Sequence, residues 1–97
     1  MGSGMHKTTI RNIARILDLL KKNETIHIRG ISRALGLNPF IVSNIINKYL
    51  DYFLDIKDID QFGFRAKMIS LKEDKKNITV EDVLKYIDVK RKIRNST

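Results

Sequence analysis

Gly36 and Pro39, with Asn38 between them and Leu35 just before, constrain this chain more tightly than any other feature. Glycine accepts the left-handed backbone that ends a helix without strain. Asn-Pro then starts a new one, with Asn38 as the capping residue and Pro39 at the first helical position, where its missing N–H costs nothing. The chain must therefore leave one helix and enter another within a few residues. Downstream, Val42, Ile45, Ile46, Tyr49 and Leu50 recur at helical spacing, which predicts a helix from about Pro39 to Leu50. Upstream, a short helix is expected from about Arg29 to Leu35. With 97 residues there is room for one core, so both helices must bury their apolar sides against a shared third element.

That element is predicted at the start. Thr8-Thr9 precede Ile10, Ile13, Ala14, Leu17 and Leu20, the stripe of a helix ending near Asn23. Ile16 widens the stripe beyond one contact surface, which suggests a partner on that side. Thr25 to Ile28 is short and β-branched and reads as a stub of strand. After Asp51 the period drops towards two, with Leu54 and Ile56 opposed to Asp55 and Lys57; a turn at Asp60 to Gly63 leads into Phe64 to Leu71, so the pair reads as a β-hairpin. Phe62 and Phe64 flank its glycine and are expected to fold back onto the core. Lys72 to Asn77 reads as a loop. Thr79 with Asp82 resembles a capping box, opening a last helix with the stripe Val80, Val83, Leu84 and Ile87 and a patchier side of Tyr86, Val89 and Ile93. The expected class is α+β, mainly α with a small β-hairpin. Residues 1–4 read as an expression remnant, 5–77 as the domain and 78–97 as a C-terminal helix with a basic tail.

Nineteen Lys and Arg against eleven Asp and Glu give a net charge of +8 and a pI near 9.9, the balance of a polyanion binder. The absence of Cys excludes disulfides and thiolate chemistry, and His6 and His27 alone cannot hold a metal. His27 reads as structural. The carboxylates are scattered and no Gly-rich phosphate loop follows a strand, so neither an enzyme nor a cofactor is expected, and no small-molecule ligand is evident. No apolar run approaches the roughly 18 residues of a membrane span. A cytoplasmic, nucleoid-associated protein is the expectation, from an AT-rich, archaeal genome by its Ile, Lys and Asn content.

The segment Ile31 to Leu50 resembles the helix-turn-helix of bacterial and archaeal winged-helix regulators. In that family a small residue stands four before the turn glycine, here Ser32, and a buried apolar one stands six after it, here Val42. The topology from Thr8 to Leu71 is consistent with it, and the order of the whole chain is the same: helix, short strand, helix, turn, helix, hairpin, helix. The resemblance implies a double-stranded DNA partner, with the second of the paired helices in the major groove. Its face away from the core carries Asn38, Phe40, Ser43, Asn44, Asn47 and Lys48. Asn can bond adenine twice, Ser can reach base or phosphate, and an aromatic can meet a thymine methyl. Phosphate contacts are expected from Arg29 and Arg33, and from Arg65 and Lys67, which alternate onto one face of the second hairpin strand.

Many such regulators dimerise through terminal helices, so Val80, Val83, Leu84 and Ile87 are read as either core or a homodimer surface. Asp51, Asp55, Asp58 and Asp60 run against the DNA reading unless they face away or pair with Lys57 and Arg65. A sequence-nonspecific nucleoid protein and a protein-interaction adaptor stand as alternatives.

Overall fold

Helix α1 (Lys7–Lys22) forms around Ile13, Ile16, Leu17 and Leu20, all buried, and ends with Lys21 and Lys22 against its negative dipole end. The computed structural model describes residues 6–61 and 63–95; the expectations for residues 1–4 and for Phe62 and Phe64 fall outside what can be said of their structure and side chains. Ile16 is 0% exposed, so the residue that widens the apolar face of α1 is buried inside the domain. Three elements pack on α1: the first helix of the pair around Gly36, the second strand of the hairpin, and the last helix.

Strand β1 (Ile26–His27) runs straight into α2 (Ile28–Leu35), whose first turn is capped by the His27 imidazole: Nδ1 accepts from the Gly30 N–H at 2.8 Å. Arg15 of α1 donates to the Leu35 carbonyl at 2.8 Å, placing a cation on an otherwise orphaned acceptor at the end of α2. Gly36 follows at φ 67°, and the buried Ser32 hydroxyl donates to the Leu37 carbonyl across the turn. A small side chain at position 32 thus does more than let the helices approach. A Cβ on Gly36 would meet nothing within 4 Å, so substitution there costs backbone strain alone. Gly36→Ala is expected to lose about 1 kcal/mol in denaturant unfolding, and Gly36→Asn less, because Asn visits the left-handed region more readily.

Helix α3 (Pro39–Ile45) starts as the sequence predicts, with Asn38 Oδ1 accepting from the Phe40 N–H at 2.7 Å. It does not continue as a regular α-helix to Leu50. Ile46–Leu50 widen to a π-helical turn and Asp51–Phe53 tighten to a 3₁₀ turn. Ile46, Leu50 and Phe53 are all buried through this stretch, so core packing accompanies the break in the regular ladder.

Strands β2 (Leu54–Gln61) and β3 (Phe64–Leu71) pair antiparallel from Leu54↔Leu71 to Gln61↔Phe64. Asp60 and Gln61 therefore belong to the strand rather than to the turn, which is tighter than expected and carries Gly63 at φ 79°. β1 pairs with β3 through Ile26↔Ile69 and His27↔Met68, giving the order β1-β3-β2 among the described residues. The stub of strand is thus what docks the hairpin beside α2. The architecture is α+β, mainly helical with a small antiparallel sheet, in the order the sequence predicts.

A 3₁₀ turn (Glu73–Lys75) interrupts the expected loop and leads to α4 (Val80–Asn95). The capping box is made both ways: Thr79 N–H donates to Asp82 Oδ2 at 2.9 Å and Asp82 N–H to Thr79 Oγ1 at 3.2 Å. The Thr79 backbone bond, aided by the Thr79 hydroxyl bond and by Lys85 and Lys21, holds the Asp82 carboxyl below its ordinary value. A lowered acid pKa supports the folded form above the unfolded value, near 4, and that support is lost as pH falls through the folded value. The protection of amides 79–82, measured against the intrinsic exchange rate at each pH, should therefore fall below about pH 4, and Asp82→Asn should remove that dependence.

The stripe on α4 is drawn largely into the core. Val83 is 0% exposed, and Val80 and Ile87 pack against the central cluster, with Leu84 half-buried beside them. Tyr86, on the patchier side, stacks on Tyr52 at 4.4 Å and meets Phe53 edge-on at 5.3 Å. Val89 and Ile93 are the large apolar residues that α4 leaves exposed, at 54% and 62%.

Candidate nucleic-acid interface

The hairpin outruns the core. Along the inner face of β3, Leu71 and Ile69 are buried, and the same alternation then presents Lys67 and Arg65. Because β1 fixes the hairpin beside the start of α2, these two cations come opposite Arg29 of α2 and the first turn of α3. Between them lies a groove of about 820 Å³ lined by Arg29, Asn38, Phe40, Ser43, Arg65 and Lys67, with His27, Ile28, Pro39 and Ala66 completing its wall. Six of the ten residues singled out in sequence for base or phosphate contact thus meet in one place.

Phe40 is the most conspicuous of them, a large apolar side chain left 73% exposed at the mouth of α3. Asn38 also lines the groove, but its Oδ1 is engaged in the helix cap, and a bidentate adenine contact would need that oxygen. Its role is to hold the helix start. Asn47 donates to the Ser43 hydroxyl at 3.4 Å, one turn along the exposed arc. Asn44 and Lys48 fall on the other flank of α3, in a separate groove against Thr8, Thr9 and Asn12 of α1. Arg33 is exposed one turn beyond Arg29 and does not line the main groove.

Asp58 and Asp60 do not face away. They stand directly across the ladder from Lys67 and Arg65, hence on the same inner face, and Arg65 Nε lies 3.9 Å from Asp60 Oδ2. With the side chains 89% and 66% exposed, this ion pair is screened by solvent and adds little stability. Its effect is on charge: two carboxylates offset two cations on the hairpin, so Arg29 stands out as the cation opposite them. His27 was not singled out as part of any site, yet it both caps α2 and lines the groove. The signal was present in an acceptor side chain three residues before Gly30 at a helix start.

The sequence matches no protein-family model and no curated protein. The fold, by contrast, is one carried by a protein described as a transcriptional regulator homologue. That solved structure, of the transcriptional regulator homologue protein from Pyrococcus horikoshii OT3, is similar over 95% of this chain and 90% of its own, with a TM-score of 0.57 at 12% identity. At that identity the likeness is one of fold. Among the described residues no helix is long and apolar enough to cross a membrane, and no cluster of metal-ligating side chains is formed.

Proposed function

We propose that this chain is a winged helix-turn-helix protein that binds double-stranded DNA, with α3 in the major groove and the β2–β3 hairpin as the wing. The observation that carries the reading is the convergence of Arg29, Phe40, Ser43, Arg65 and Lys67, from the paired helices and from a hairpin strand more than twenty residues further on, on one groove beside an exposed helix. Phe40, Ser43, Asn44 and Asn47 are the base-facing set, and Arg29, Arg65 and Lys67 hold the phosphates, with Arg33 extending that line along α2. The fold likeness to a transcriptional regulator homologue supports a regulatory role. The protein acts without a cofactor and is not an enzyme on this reading. A homodimer on this reading would draw on the exposed Val89 and Ile93 of α4, since Val83 is buried and Val80 and Ile87 pack against the core.

The test is a gel shift against random duplex DNA at low salt, followed by competitor titration. Failure of the wild type to bind sinks the reading. Discrimination of a selected site by about 10³-fold or more marks a regulator, and its absence marks a nucleoid-type protein. The carboxylates of Asp58 and Asp60 on the groove face favour a second reading, an adaptor that docks a basic protein segment. On that reading Asp58→Asn with Asp60→Asn would abolish partner binding, whereas on the DNA reading the same pair tightens duplex binding.

A further inference from the structure

A helix lying in the major groove has a phosphodiester backbone on each flank. One flank of α3 faces the groove of Arg29, Arg65 and Lys67; the other faces the start of α1 across a groove of about 320 Å³ that includes Thr8, Thr9, Asn12, Asn44 and Lys48. The first turn of α1 contains no acidic residue, and His6 offers it no side-chain cap. Its first internal bond is from the Ile10 N–H to the His6 carbonyl, so the N–H groups of Lys7, Thr8 and Thr9 have no carbonyl of their own helix to meet. Asn12 adds an independent sign. The residue is only 7% exposed, and its side chain makes no hydrogen bond among the described residues. No described side-chain polar atom is sealed from solvent without a partner, so the Asn12 amide keeps its access through this groove. A buried amide held open and unpaired at the positive end of a helix is built for an acceptor.

We infer that the start of α1, with Asn12 and Lys48, is a second phosphate cradle that grips the DNA strand on the side of α3 opposite the hairpin; this rests on the DNA reading above. Lys48 is then a phosphate contact and not a base contact.

Thr8→Glu separates this from a structural role, because an acidic residue in the first turn suits the helix dipole while it repels phosphate. Thr8→Glu should keep or raise the melting temperature and weaken duplex binding about tenfold near 0.1 M salt. Lys48→Ala should flatten the salt slope by about 0.9. Asn77→Glu, the same charge on the turn ahead of α4, should do much less, and ethylation interference should mark phosphates on both flanks. If wild type binds and the Arg65→Ala, Lys67→Ala pair weakens it while Thr8→Glu matches Asn77→Glu, the cradle is overturned and the DNA reading stands. If inorganic phosphate shifts amides 7–9 but Thr8→Glu leaves duplex affinity intact, the site takes free anions and the inference is again overturned. If wild type binds no duplex, both readings fall together.

Discussion

Replacing Arg29, Arg65 and Lys67 together by Ala is expected to weaken duplex binding by roughly 10²- to 10³-fold near 0.1 M salt and to flatten the salt slope by about 2.7. Each lost cation leaves one phosphate with its condensed counterions, and counterion release is what drives this part of the affinity. The hairpin adds a second effect. Asp58 and Asp60 share a face with Lys67 and Arg65, so removing the cations leaves two carboxylates facing the duplex. The loss should therefore exceed that of a cation pair without acidic neighbours, and adding Asp58→Asn and Asp60→Asn should recover part of it. Arg33→Ala should cost less than Arg29→Ala, since Arg33 stands outside the groove. Fluorescence anisotropy over a salt series reads all of these. A triple variant with wild-type slope would remove the groove from the binding surface.

Ile31→Ala and Phe40→Ala should have opposite consequences, although both remove a large apolar side chain from the helix pair. Ile31 is 0% exposed in the middle of α2, and its truncation leaves a cavity among close-packed neighbours. Such truncations cost about 2–5 kcal/mol, a large part of the total stability of a domain this size, and lower the melting temperature by roughly 10–30 °C. Phe40 is 73% exposed and gains little from the fold, so Phe40→Ala should change stability by less than about 0.5 kcal/mol. It should nonetheless weaken DNA binding several-fold, most on sites with a thymine beneath the start of α3. Calorimetry and anisotropy on the same two proteins separate the cases. Equal melting temperatures would mean that Ile31 is not part of the core, and unchanged affinity in Phe40→Ala would take Phe40 off the interface.

What was legible in sequence was whatever depended on neighbours along the chain. Gly36, Asn38 and Pro39 define the turn and the new helix because each acts on its own backbone, and the Thr79–Asp82 box is likewise local. The inner face of the hairpin followed from a period of two. Features that depend on where a second element packs were not legible. Ile16 and the α4 stripe looked like spare apolar surface because nothing in their own segments reveals that α1 is covered on two sides. The polar arc of α3 read as one face, whereas α1 and the hairpin divide it between two grooves. The widening of the helix at Ile46–Leu50 has no marker such as Gly or Pro. His27 was misjudged in scope, since a histidine cap is rarer than the Ser, Thr, Asp and Asn that usually announce a helix start.

The two residues of β1 reach only as far as Met68 on β3. From there outward no third strand flanks the hairpin among the described residues, so mechanically it is a cantilever, clamped at its root by Ile26 and His27 and loaded at its far end by Arg65 and Lys67. A two-stranded ribbon has little stability of its own and opens more readily than the sheet that anchors it. The outer arm can therefore bend to follow a duplex whose groove width varies with sequence, while α2 and α3, tied to its root, keep their register.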